Sequence, residues 1–136
     1  MRSFVEILER AATRKGGMKA LRARLPTDIR PLEELAEIPD HRYLAGMTKT
    51  IFQAGFVWKV IEKKWLGFED AFWGFDIDRC MYFSPEDEDG LCRDVRIVRN
   101  RQKILTVPHN AMMIAGIRNE RGSFGRFIAD WPGQDY

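Results

Sequence analysis

The sequence predicts an all-α fold, and three observations carry that prediction. Apolar residues recur at three- and four-residue spacing in one segment after another. No segment shows sustained alternation of apolar and polar residues, the signature of a half-buried strand. Capping residues, glycines and prolines fall where the periodic runs begin and end. With 136 residues, 45% of them hydrophobic and 31% charged, the chain has the size and composition of one globular domain with a single core. No apolar run reaches the roughly 20 residues that cross a bilayer. The first residues carry Glu6 and Glu9 where a signal peptide would be uniformly apolar, so a cytoplasmic protein with no membrane partner is expected.

Each element has a local reason. Ser3-Phe4-Val5-Glu6 is a capping box, and Phe4, Ile7, Leu8 and Ala11 keep helical spacing until Gly16-Gly17. A short helix is predicted from about Met18 to Arg24, ending before Pro26, and another over Pro31 to Ala36. After Pro39, Asp40 is expected to cap a helix whose apolar face carries Tyr43, Leu44, Met47, Ile51 and Phe52, with Gly55 as its stop. The next helix is predicted from Phe56 to about Trp65, burying Phe56, Val57, Val60 and Ile61. An aromatic-rich turn or two follows over Gly67 to Phe75. Ser84-Pro85-Glu86-Asp87 opens another helix, with proline at the first helical position and acids in the first turn.

Leu91 to Ile104 reads as helix, tight turn, helix, with Asn100 either left-handed or capping the second helix. Pro108 is expected to kink that helix near Ile104 or to restart it at His109. Ser123 can cap a last helix bearing Phe124, Phe127, Ile128 and Trp131, ended by Pro132-Gly133. The chain divides on this reading into amino-terminal helices over 1–39 and a core over 40–136, all within one domain.

Net charge is only +2, but its distribution is uneven. Between Arg93 and Lys103 five basic residues (Arg93, Arg96, Arg99, Arg101, Lys103) face one acid, Asp94. A helix dipole accounts for the acids of Glu86-Asp87-Glu88-Asp89 and leaves the basic cluster unexplained. A phosphate-facing role and a bland surface patch both fit it. Cys80 and Cys92 lack disulfide or ligand spacing and read as small hydrophobes. His41 and His109 lie far apart, so no metal and no cofactor are expected.

Four stretches, in order, resemble the DNA-3-methyladenine glycosylase I family of the helix-hairpin-helix DNA glycosylases. Gln53-Ala54-Gly55-Phe56-Val57-Trp58 is similar to that family's Gln-Ala-Gly-x-x-Trp core. Phe68-Glu69-Asp70-Ala71-Phe72-Trp73-Gly74-Phe75-Asp76 is similar to the segment that follows it. Ile97-Val98-Arg99-Asn100-Arg101-Gln102-Lys103-Ile104 resembles its Ile-x-Arg-x-x-x-Lys-Ile hairpin, and Ser123-Phe124-Gly125-Arg126-Phe127-Ile128 its late helix. The resemblance runs from about Met47 to Trp131. It implies a helix-hairpin-helix glycosylase fold and hydrolysis of the N-glycosidic bond of alkylated adenine, 3-methyladenine, in double-stranded DNA.

On that resemblance Trp58 and Gln53 fall at the base pocket, and Arg96, Arg99, Asn100, Arg101 and Lys103 at the DNA backbone. An extruded cationic base would gain stacking and cation–π attraction from an indole face. The rival reading makes Trp58 a core residue packed with Phe52 and Phe56. The family's pocket glutamate falls on Thr50, which can hydrogen-bond a base edge but carries no charge. The hairpin has no glycine at its turn, so arginine and lysine side chains would replace some backbone contacts to phosphate. The family's zinc-ligating cysteine and pocket tyrosine have no counterpart before His41.

Members of the family continue beyond the point that matches Tyr136, so the domain is expected to be incomplete. An uncovered face with Phe127, Ile128 and Trp131 would then favour a homodimer or swapped pair. A module that kept the fold for DNA binding or helical assembly and lost the chemistry is the alternative function, favoured by Thr50.

Overall fold

The computed structural model describes residues 2–25 and 30–131, and all regular structure among them is helical. The turn at Pro26 and the stop at Pro132-Gly133 lie outside the described residues. The chain forms two compact units, Met1–Arg30 and Pro31–Tyr136. The segment after Pro31, grouped above with the amino-terminal helices, therefore belongs to the second unit.

The first unit is a helical hairpin. Helix α1 (Phe4–Arg14) opens with the predicted box: the Ser3 hydroxyl accepts from the Glu6 N–H at 3.3 Å, and the Glu6 carboxylate accepts from the Ser3 N–H at 2.9 Å. Gly16 and Gly17, at φ +90° and +110°, turn the chain into α2 (Met18–Arg24), which packs back on α1.

The second unit holds α3 (Leu32–Glu37), α4 (Asp40–Gln53), α5 (Trp58–Ala71), a 3₁₀ turn (Trp73–Phe75), α6 (Ile77–Cys80), α7 (Pro85–Arg93), α8 (Arg101–Arg121) and α9 (Phe124–Ala129). Its core is aromatic. Phe68 meets Phe52 edge-on at 4.8 Å between ring centres and stacks on Trp65 at 5.4 Å, while Phe75 stacks on Trp65 and Phe72. These four phenylalanines are fully buried, with Leu44, Ile61, Ile104, Val107 and Ile114 around them.

Several elements differ from the sequence-based expectation, each for a tertiary reason. Helix α5 starts at Trp58, because Gly55 at φ +69° ends the preceding turn and Val57 is extended; Phe56 and Val57, expected to be buried, are exposed. It then runs through Gly67 to Ala71. Gly67 is a close-approach residue: a Cβ there would lie 2.6 Å from the Arg96 carbonyl oxygen, so the hydrogen side chain lets the α7–α8 connection rest on α5. The aromatic turn that follows is left-handed, with Trp73, Gly74 and Phe75 all at positive φ (53°, 63° and 59°). Such a conformation costs a non-glycine residue about 1–2 kcal/mol, offset here by complete burial of the Phe75 ring.

Pro108 neither kinks α8 into two helices nor restarts it: the helix is continuous from Arg101 to Arg121. Proline removes one backbone donor, and the buried row Ile104, Val107, Ala111 and Ile114 holds the turns on either side of it. Asp40 does not cap its own helix. It is the first residue of α4, and its carboxylate accepts from the Phe124 N–H at 2.9 Å, joining Ser123 in capping α9.

That bond draws α9 onto the unit. Gly125 sits where a Cβ would come within 2.5 Å of the Leu35 carbonyl oxygen, so α9 lies directly against α3. Phe127 and Ile128 pack against the core as a result, and the face expected to be uncovered is largely used within the unit. Trp131 keeps 52% exposure.

Candidate functional site

The last turn of α4 and the segment leading into α5 form an open depression of about 650 Å³. Thr50, Gln53, residues 54–57 and Trp58 line it. Sequence dictates this locally: Gly55 supplies the positive φ that ends the helix, and the extended Val57 starts the next one, so three large apolar side chains are presented in succession. Phe56, Val57 and Trp58 are 44%, 63% and 64% exposed. Trp58 is therefore outside the core, and the packing with Phe52 and Phe56 that was its rival reading is not what the fold uses. Adjacent exposed apolar groups beside a concavity are the surface that binds rather than the surface that merely solvates.

Gln53 is half-buried at the wall of the depression. Thr50 is exposed, and its hydroxyl donates to the Gly46 carbonyl oxygen at 3.0 Å, leaving its lone pairs open to a donor from the depression. The depression therefore combines an indole face, an amide and a hydroxyl acceptor, with no charged side chain in its wall.

The resemblance puts Lys103 at the DNA backbone; in the structure its ammonium reaches the carbonyls at the end of α4. It donates to the Ala54 carbonyl oxygen at 2.7 Å and to the Phe52 carbonyl oxygen at 3.2 Å. A cation at these carbonyls completes hydrogen bonds that a helix end leaves open and complements the negative end of the dipole. Lys103 thus fixes the wall of the depression from α8. The partners lie about fifty positions apart in sequence, which is why periodicity and motif spacing missed the contact.

Replacing Lys103 with methionine keeps the stem and removes both bonds. The expected loss is about 1 kcal/mol, or about 4 °C in Tm for a unit of this size. A thermal melt with unchanged midpoint would show that the bonds contribute nothing.

Of the remaining basic cluster, Arg96 and Arg101 are engaged. Arg96 grips Asp94 with two nitrogens at 2.7–3.2 Å; hydrogen bonds from that guanidinium, set against some desolvation, hold the Asp94 carboxyl below the usual range. Arg101 pairs with Glu88 of α7. Asn100 caps α8, its side-chain oxygen accepting from the Lys103 N–H at 3.1 Å, the second of the two roles it was given. Arg99 is exposed and takes no part in the ion pairs found among the described residues. The connection itself, residues 94–100, is longer than the tight turn expected and buries Ile97.

Two further ion pairs frame the unit. Arg42 binds Glu69 bidentately at 2.7 and 2.9 Å, and Arg79 binds Asp87 at 2.9 Å while lying 3.6 Å from the centre of the Trp73 ring. Both carboxyls are held below their ordinary range, chiefly by these hydrogen bonds. Burial pushes the Cys80 thiol up to about 12, so it stays protonated and inert, its sulfur 3.3 Å from the Phe72 carbonyl oxygen. No group of three or more His, Cys, Asp or Glu side chains among the described residues is arranged to hold a metal ion. No described helix is long and apolar enough to cross a membrane.

Known structures are similar in fold. A mutant of 3-methyladenine DNA glycosylase I from Staphylococcus aureus is 26% identical, with a TM-score of 0.62 over 66% of this chain and 48% of that one. A further 3-methyladenine DNA glycosylase I is 27% identical, with a TM-score of 0.58 over 77% of this chain and 61% of that one. A third structure, a tyrosine variant in complex with 3-methyladenine, shares the fold at 23% identity, with a TM-score of 0.62 over 73% of this chain and 57% of that one. The chain thus spans about half to three fifths of the length of these proteins. Residues 37–135, which hold every residue of the depression and of the α7–α8 connection, match the methyladenine glycosylase family, and the chain belongs to that family.

Proposed function

We propose that the second unit takes an alkylated adenine, 3-methyladenine, extruded from double-stranded DNA into the depression at Trp58, for hydrolysis of its N-glycosidic bond. The observation that carries this reading is the exposed indole of Trp58 beside Gln53 and Thr50 in one concavity, on a chain of this family. A base alkylated at a ring nitrogen carries positive charge. Stacking on an indole stabilises it by cation–π attraction of roughly 1–2 kcal/mol when desolvated. The same charge makes the base a good leaving group, so the site has to hold the base and the electron-poor sugar more than it has to donate a proton. Gln53 would bind the base edge and Thr50 would offer its lone pairs.

Arg99, the unpaired guanidinium of the connection, is the residue of the basic cluster best placed to contact a phosphate. Arg96 and Arg101 would have to release Asp94 and Glu88 first, and Lys103 acts by holding the wall. The cytoplasmic placement expected from the sequence suits a protein that works on DNA.

Thr50 favours a second reading, binding without excision, because a hydroxyl supplies no negative charge to an oxocarbenium-like sugar. Two measurements separate the readings: release of 3-methyladenine from methylated duplex, followed by chromatography, and quenching of tryptophan fluorescence by the free base. Release supports hydrolysis. Quenching without release supports binding alone, and the absence of both overturns the site.

A further inference from the structure

The chain's positive charge is not where its candidate site is. Residues 31–136 hold 14 Lys and Arg against 17 Asp and Glu, a net of −3, whereas residues 1–30 hold eight against three, a net of +5. Within this unit Arg42, Arg79, Arg96 and Arg101 are tied to carboxylates and Lys103 to carbonyls, while Lys59 and Arg99 are exposed and join none of the ion pairs found among the described residues. A net-negative unit has little long-range attraction for a polyanion.

The first unit has the opposite character. From Arg10 to Arg24 the chain carries six cations (Arg10, Arg14, Lys15, Lys19, Arg22, Arg24) and no acid. All six are exposed, and none joins the ion pairs found among the described residues. They are spread over the second half of α1, the glycine turn and the whole of α2, so the hairpin presents them from a folded scaffold. The apolar residues of α2, Met18 and Leu21, are half-buried in the hairpin, and the exposed Phe4, Val5, Ile7 and Leu25 fall before and after the Arg10–Arg24 stretch. Six cations with no acid among them suit the phosphate backbone of a nucleic acid, whose binding is driven by counterion release. This unit also lies outside the residues that match the family, 37–135.

We infer that the α1–α2 hairpin is a sequence-independent anchor for the DNA backbone, adding long-range electrostatic attraction to a second unit whose net charge is −3. The inference rests on the reading of the second unit as a DNA-directed site, because that reading makes duplex DNA the polyanion at hand. The anchor would raise the residence of the whole chain on undamaged duplex. Phosphate contacts of this kind carry no sequence information and set affinity and its salt dependence.

The test uses the full chain and an undamaged duplex, with fluorescence anisotropy at several salt concentrations. Changing all six cations to glutamine should weaken binding by about 100-fold at low salt and reduce the slope of log K against log salt by about three to five. A second variant with Lys15 and Lys19 changed to arginine and Arg10, Arg14, Arg22 and Arg24 changed to lysine preserves charge and should retain the wild-type slope. Circular dichroism of both variants reports whether the helices persist. An unchanged slope in the glutamine variant with helicity intact would overturn the inference, as would failure of the charge-preserving variant to bind. Stronger wild-type binding to phosphatidylserine vesicles than to duplex at equal salt would also overturn it, in favour of a membrane surface. Quenching by free 3-methyladenine reads the depression independently of the hairpin. A slope equal in the wild type and the glutamine variant, with quenching retained, therefore fails the anchor alone, and absence of quenching with the expected difference in slope fails the site alone.

Discussion

Replacing Phe68 with alanine is expected to destabilise the second unit by about 3–5 kcal/mol, most of the stability such a unit has. Phe68 is fully buried and contacts Phe52 edge-on, Trp65 by stacking and Phe72 on its other side, so removing the ring opens a cavity at the centre of the cluster. Collapse into that cavity is limited because Phe72 and Phe75 are fixed by the left-handed turn between them. The functional consequence follows from Phe52, which Phe68 supports and which sits one residue before Gln53 in the last turn of α4. A thermal melt should show Tm lowered by about 15 °C or more, with the tryptophan signal of the depression lost in the same transition. A fall of only a few degrees would mean that the aromatic cluster repacks and that Phe68 is not its keystone.

Replacing Trp58 with alanine should have the opposite pattern, a large loss of function with little loss of stability. Its side chain is 64% exposed, so the folded unit gains little from burying it, and truncation should change stability by no more than about 0.5 kcal/mol. Against the base the loss is larger. Stacking of a base on an aromatic side chain contributes about 1–3 kcal/mol, and the cationic base gains further attraction to the indole face. Base binding, measured by displacement of a fluorescent adenine analogue, should weaken about 10- to 100-fold, with excision of the damaged base falling in parallel. Trp58→Phe should recover part of the affinity, since a phenyl ring stacks but attracts a cation less strongly than indole. Wild-type affinity in Trp58→Ala would remove the indole from the site.

Local rules wrote much of this structure. The box at Ser3, the helix opening at Ser84, the cap at Ser123 and the glycine stops at Gly16, Gly17 and Gly55 appear as the sequence predicts, and the structure takes the capping alternative at Asn100; each satisfies backbone groups within a few residues. The helical class and the family were legible for the same reason: spacing and motif order are one-dimensional properties. The depression was half legible. Gln53, Gly55 and Trp58 lie within six positions and the chain reversal at Gly55 suffices to bring them together, but whether Trp58 faced core or solvent depended on what filled the core.

The tertiary structure decided the rest, because those choices are settled by groups distant in sequence. Gly67 reads locally as a helix breaker, yet α5 passes through it because the Arg96 carbonyl needs the space. Pro108 reads as a break, yet burial on both sides outweighs one missing hydrogen bond. Asp40 caps α9 in place of its own helix, and Lys103 reaches α4 in place of a phosphate, since each satisfies backbone groups that the fold would otherwise leave open at a helix end. The sequence by itself determined where the helices begin and what family they build. Only packing decided which cations stay free, because an arginine is paired or unpaired according to the carboxylate the fold sets beside it.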